Sequence, residues 1–152
     1  LTVLADGRFT LDGNLVRDSG KGLKLHPNTG AQFVNTALVD IAGDALRLVP
    51  NTQLAAWHTT LARNAGNALY VENGASAVFT NTILAENQTG VRLAGAGAAS
   101  LRQTLWDRNT TPTAGANPEK TKKTITAVWA SAWVAASGEV PNSSAASARY
   151  LS

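Results

Sequence analysis

Hydrophobic positions along the chain recur at a fixed long interval. Leu15–Leu25 (LVRDSGKGLKL), Leu38–Leu48 (LVDIAGDALRL) and Leu61–Val71 (LARNAGNALYV) align without gaps at a spacing of 23. A fourth copy, Leu84–Leu93 (LAENQTGVRL), fits with one residue deleted, and a fifth, Trp106–Thr110 (WDRNT), begins 22 residues after the fourth. Leu15, Leu38, Leu61, Leu84 and Trp106 form one apolar column; Leu23, Leu46, Leu69 and Val91 form a second. Leu25, Leu48, Val71 and Leu93 form a third, and between the last two runs an outward column of Lys24, Arg47, Tyr70 and Arg92. Apolar, polar, apolar is the period-two pattern of a strand with one buried face. Phe33, Ala56, Phe79 and Leu101 supply another inward column upstream. Each repeat therefore predicts short strands separated by turns, with Gly20, Gly43 and Gly66 stacked in one turn, and self-similarity at this period denotes a solenoid.

One coil reads Phe79, Asn81, Leu84, Asn87, Gly90, Val91 and Leu93. This order resembles the coil of the right-handed parallel β-helix found in bacterial surface and secreted proteins: inward aliphatics, Asn at turns, then Gly and an aliphatic pair. The resemblance covers roughly residues 9–111. It implies an all-β solenoid of about five coils of 22–23 residues, roughly 24 Å long at one strand spacing per coil. Leucine-rich repeats have a similar period but need an Asn-Leu spacing that is missing. The expected division is 1–111 as β-helix and 112–152 as loop and C-terminal capping segment. At the junction, 111–118 reads as a loop by composition. Ile125, Val128, Trp129, Ala132 and Trp133 suit either one helical face or an extended segment. Trp133-Val134, Gly138 and the stretch Pro141 to Ala146 resemble the tail of bacterial surface β-helix proteins, with Ser131 and Ser147 where that tail carries Pro and Asp. Trp129 and Trp133 are expected to cover the last coil.

Polar columns carry the candidate chemistry. Asn64, Asn87 and Asn109, with Asp18 and Ile41 in the same register, read as a structural ladder bonding along the solenoid axis. Asp12, Asn35, His58, Asn81 and Gln103 form a second column. His58 lies beside Trp57, a pairing that suits sugar binding or catalysis, but its column neighbours are turn-formers, so His in place of Asn in a turn ladder is the plainer reading. Arg17, Asp40, Arg63, Glu86 and Arg108 alternate in sign and predict a ladder of cross-coil ion pairs, each worth roughly 0–1 kcal/mol when exposed. The stripe Lys24, Arg47, Tyr70, Arg92 is expected to carry no compensating acid. It is a solvated strand face or a shallow site for an acidic glycan, with Tyr70 stacking on a sugar.

Composition narrows the functions further. The 152 residues contain neither Cys nor Met, which excludes disulfides and thiolate-bound zinc. A chain that starts at Leu1 without any Met is expected to be a processed or excised piece. The net charge of +3 is too mild to argue for nucleic acid, and no apolar run is long enough for membrane insertion. Ten acids, mostly assigned to the ladder or alone in turns, do not converge as glycoside hydrolysis or calcium binding requires. Asn87, Asn109 and Asn142 each begin a glycosylation sequon, the first two within the inner ladder. No catalytic residue, metal ligand or cofactor is assigned. The expected function is a non-enzymatic extracellular or cell-surface scaffold whose partner is another copy stacked end to end. The alternative is a carbohydrate-active protein, either an acidic-glycan binder or a polysaccharide lyase or hydrolase.

Overall fold

Alternation of inward and outward side chains produces short strands, and the corners between them close each repeat into a coil. The computed structural model describes residues 2–3, 7–115 and 128–129, and in it these strands form three parallel sheets. Sheet A orders β1 (Thr2–Val3), β4 (Leu23–Leu25), β7 (Leu46–Leu48), β10 (Asn67–Val71), β13 (Thr89–Leu93) and β16 (Thr111–Gly115). Sheet B orders β2 (Gly7–Asp12), β5 (Thr29–Val34), β8 (Gln53–Trp57), β11 (Ser76–Thr80) and β14 (Ala98–Arg102). Sheet C orders β3 (Leu15–Ser19), β6 (Ala37–Ile41), β9 (Thr60–Ala62), β12 (Ile83–Ala85), β15 (Thr104–Asp107) and β17 (Val128–Trp129). Each strand pairs with its counterpart one coil away, so the chain is a parallel β-helix of about five turns.

From the second coil onward the register is the one the repeat predicts. Leu38, Leu61, Leu84 and Trp106 stack in sheet C, Leu46, Leu69 and Val91 in sheet A, and Phe33, Ala56, Phe79 and Leu101 in sheet B. The first coil is displaced by one. Val16, not Leu15, pairs with Leu38, and Leu15 is 61% exposed. The cause is the corner that follows: residues 20–22 join Ser19 to Leu23, whereas residues 42–45 join Ile41 to Leu46 one coil above. The shortening falls at this corner, and a gap-free alignment hides it. A second difference concerns Thr111–Gly115, which composition marks as loop but which pairs in parallel with β13. Among the described residues the strand lies at the edge of sheet A, where Pro112 withholds no ladder hydrogen bond from a further neighbour. The boundary placed at 111 therefore falls inside β16. The capping role expected of Trp129 and Trp133 lies outside the described residues; the backbone of Val128–Trp129 pairs with Thr104–Leu105.

Sheet B shows how one narrow core accepts different side chains. Its inward pairs run Ala31 with Phe33, Leu54 with Ala56, Ala77 with Phe79, then Ala99 with Leu101, all buried. A large residue in one column faces a small one beside it, and the order is inverted in the second pair alone. Volume is conserved coil by coil, as close packing demands. Glycine is needed where a neighbouring coil approaches closely: a Cβ at Gly90 would lie 2.5 Å from the Trp106 indole, and one at Gly66 would lie 2.6 Å from the Gly43 backbone carbonyl carbon.

Three buried asparagines bond the interior of the corner between sheets C and A. Asn87 Oδ1 accepts from Asn64 N and Nδ2 at 3.1 and 2.7 Å. Asn87 Nδ2 donates to Leu61 O at 2.9 Å and Asn109 Oδ1 at 2.8 Å. All four bonding positions of this amide are filled. Asn64 closes the column below by accepting from Ile41 N at 3.0 Å. Ser19, not Asp18, stands beneath Ile41. At the corner between sheets B and C, Thr36, Thr59, Thr82 and Thr104 are buried, and each Oγ1 donates to the carbonyl two residues back. This hydroxyl column went unread in the sequence although its spacing of 23, 23 and 22 matches the repeat.

Asn87→Ala should leave Asn64 N without its acceptor, costing roughly 1–3 kcal/mol, and should remove one bond each from Leu61 O and from Asn109 Oδ1, which the Asn87 backbone N–H still reaches at 3.1 Å. Urea unfolding is expected to show a loss of about 3 kcal/mol or more. Asn81→Ala, at an exposed corner, should cost only the left-handed penalty of about 1 kcal/mol; equal losses would contradict the ladder.

Candidate functional site

Lys24, Arg47, Tyr70 and Arg92 are Cα partners in successive strands β4, β7, β10 and β13, all on the outward face of sheet A. Parity within these strands fixes that face, because their neighbours Leu23, Leu25, Leu46, Leu48, Leu69 and Val71 are buried. The guanidinium carbons of Arg47 and Arg92 stand 5.0 and 4.9 Å from the Tyr70 ring centroid. They come from the coils on either side of Tyr70, so the ring is held between two cations. Such contacts are worth about 0.5–1 kcal/mol at exposed sites. The face of Tyr70 offered to a sugar ring is thus already covered.

The expectation that the stripe carries no compensating acid is overturned, because Glu72 pairs with Arg47. Arg47 donates from Nε to Glu72 Oε1 at 2.6 Å, and its Nη2 lies 2.6 Å from the same oxygen. Glu72 lies two residues beyond Tyr70, on the coil above Arg47, and this outward parity is the signal that locates it. Lys24 and Arg92 keep their charges without an acidic partner among the described residues. They stand three strand spacings apart, about 14 Å.

The charged column occupies the corner between sheets C and A, where the backbone enters the left-handed region. Positive φ occurs at Asp18 (50°), Asp40 (55°), Arg63 (54°), Glu86 (56°) and Arg108 (43°). Asp18 therefore takes the place that the sequence assigned to Arg17, and two acids are adjacent at the foot of the column. Arg17 pairs with Asp18 at 3.2 Å rather than bridging to Asp40. Above them the expected pairs form: Arg63 donates from Nε and Nη2 to both Asp40 oxygens at 2.8 Å, and Arg108 binds Glu86. The Arg63 hydrogen bond holds the Asp40 carboxyl below its ordinary range, with the charges of Arg63 and Arg17 assisting and burial opposing. The same contact raises Arg63 further above its usual value.

The other corner column, between sheets B and C, is also left-handed: Gly13 (66°), Asn35 (49°), His58 (51°), Asn81 (53°) and Gln103 (50°). Gly13 stands where Asp12 was expected, the same one-residue displacement of the first coil. His58 is thus a turn residue, as the column suggests. These side chains are exposed and exchange no hydrogen bonds with one another, so the corner is not a bonded ladder. Among the described residues no three His, Asp or Glu side chains gather where they could hold a metal ion. The sequon asparagines Asn87 and Asn109 are buried in the inner ladder. No protein-family model matches the chain, and no curated protein or solved structure matches it either.

A carboxyl whose folded pKa is lowered contributes stability that is complete above its unfolded value, near 3.9, and lost as pH falls through the folded value. Asp40→Asn should therefore lower the melting temperature at neutral pH and make progressively less difference as the pH falls below about 4. Melts across this range check the sign. A difference that grows on acidification would contradict the Arg63–Asp40 assignment.

Proposed function

We propose that the chain is a non-enzymatic β-helix scaffold module, working outside the cell or on its surface and stacking end to end with other copies. The observation that carries the scaffold reading is the fate of the carboxylates. Asp18, Asp40, Glu72, Glu86 and Asp107 each bind an arginine, and Asp44 accepts from Asn67. General acid–base work needs two carboxyl groups aimed at one bond, whereas these serve to tie neighbouring residues and coils together. A Cys-free chain rich in Ala, Thr, Asn and Gly supports an exported module.

The ends support association. Sheet B terminates in β2 at one end and β14 at the other, with no further strand beyond either among the described residues. Edge strands present unpaired backbone donors and acceptors. Phe9, Leu11 and Val16 in the first coil are only partly buried against the core, and end-to-end contact would remove that apolar area from water. A head-to-tail joint does not close, so it builds filaments. The second reading, a carbohydrate-active protein holding an acidic glycan, is supported by the exposed charges of Lys24 and Arg92; it requires a cationic rather than a stacking site, because Tyr70 is enclosed.

Light scattering over a concentration series, run beside a lyase assay and a binding titration on polygalacturonate, tests both. The scaffold reading expects particle mass to rise with concentration and no unsaturated product. A strictly monomeric particle at high concentration overturns the stacking, and product release overturns the non-enzymatic assignment. Saturable polygalacturonate binding lost in the Lys24→Ala, Arg92→Ala double variant establishes the acidic-glycan reading instead.

A further inference from the structure

The outward face of sheet B differs in chemistry from the cationic stripe. One row across it runs Asp12, Val34, Trp57, Thr80, Arg102, as Cα partners on successive strands. The next row inward from the corner runs Thr10, Gln32, Ala55, Val78, Ser100. Trp57, in the middle of its row, is 38% exposed, and Val78 is 43% exposed. A tryptophan of this size is ordinarily covered on folding. Immediately beside the row stands the exposed corner column, in which Asn35, His58 and Asn81 form no side-chain hydrogen bond with any described residue.

The corner requires a left-handed backbone there, which Asn accepts more readily than most residues. That accounts for the residue type but not for the company it keeps. Free amide and imidazole groups repeat at the strand spacing of about 4.8 Å alongside an exposed indole. In the two rows flanking Trp57, charge is confined to the ends, at Asp12 and Arg102. A ligand suited to this strip presents an apolar ring face, carries hydroxyls at its edges, brings no charge and extends along the solenoid axis.

We propose that Trp57, with Val34 and Thr80 beside it and Asn35, His58 and Asn81 along its edge, forms a binding strip for an uncharged glycan chain. The indole stacks on the apolar face of one sugar. The amides and the imidazole exchange hydrogen bonds with ring hydroxyls on that sugar and its neighbours, since each amide offers two donors and one acceptor oxygen. The flanking Val34 and Thr80 are small enough to leave the ring accessible. A protein partner fits less well, because a protein hot spot seats its anchor in a desolvated pocket within a standard interface of about 800 Å² per side, and Trp57 stands on an in-register sheet face among free polar groups. The strip lies on a different sheet from Lys24 and Arg92 and is independent of end-to-end stacking, so its failure leaves the scaffold reading intact.

The test is a titration of the intact chain with cello-, xylo- and manno-oligosaccharides, from tetra- to hexasaccharide, followed by calorimetry and by amide NMR shifts. At least one series is expected to bind, with shifts centred on residues 34–35, 57–58 and 80–81. Trp57→Ala should weaken that binding by about tenfold or more, and Asn35→Ala with Asn81→Ala by a smaller factor. Arg92→Ala should leave it unchanged. Because Trp57 is exposed, its variant should melt near the parent temperature, and Trp57→Phe, which keeps a stacking ring, should recover part of the affinity. No binding in any of the three series overturns the proposal, as does binding unaffected by Trp57→Ala. Sedimentation showing that Trp57→Ala abolishes self-association while no sugar binds would assign the face to a second copy and equally overturn it.

Discussion

Parallel pairing of each coil with the next is the constraint on which the rest of this structure depends. A strand shifted by one residue against its neighbour would turn every inward side chain outward, so the strands cannot absorb changes in coil length. Only the corners can. The first coil loses a residue between Ser19 and Leu23, and the fourth loses one between Asn87 and Thr89, while the flanking strands remain in step. The inner asparagine column, the buried threonines and the alternating sheet B core all follow from this registration, because each needs like positions to lie one above another.

The corners set a second condition. Left-handed residues at all three corners turn the chain between extended segments, and at the two corners that flank sheet C their side chains line the outside of the coil. At one corner these side chains are charged and bind across coils, as Arg63 does with Asp40. At the other they are amides and an imidazole that form no side-chain hydrogen bond with any described residue. Identical backbone geometry thus yields a surface that reinforces the solenoid and a surface whose groups remain available to a ligand.

Much of the fold was legible because three repeats share one length, which makes their columns visible without gaps. The first coil was misread because Leu15 and Val16 are both apolar and either can head the column. Gly13 held the deciding clue, since glycine suits the left-handed corner that Asn35 and His58 occupy. The stripe on sheet A was placed correctly, but its electrostatics were not: Glu72 reaches Arg47 from a position 25 residues away, outside any column of the repeat. The enclosure of Tyr70 by Arg47 and Arg92 depends on side-chain conformations that spacing does not encode. Thr111–Gly115 reads as loop because Pro and Gly dominate local propensity, whereas the preceding coil supplies a template that propensity ignores.

The central claim is the coil-to-coil register, and the absence of native cysteine allows it to be tested by cross-linking. Thr60 and Ile83 are Cα partners on the outward face of sheet C, at a strand spacing of about 4.8 Å that a disulfide can bridge. Thr60 and Ala85 are offset by two residues, about 8 Å apart and beyond that reach. Oxidation of the Thr60→Cys, Ile83→Cys variant should form the bond rapidly within one chain and preserve the melting transition, while Thr60→Cys, Ala85→Cys should remain reduced. Failure of the first pair to close, or equal closure of both, would contradict the parallel β-helix register.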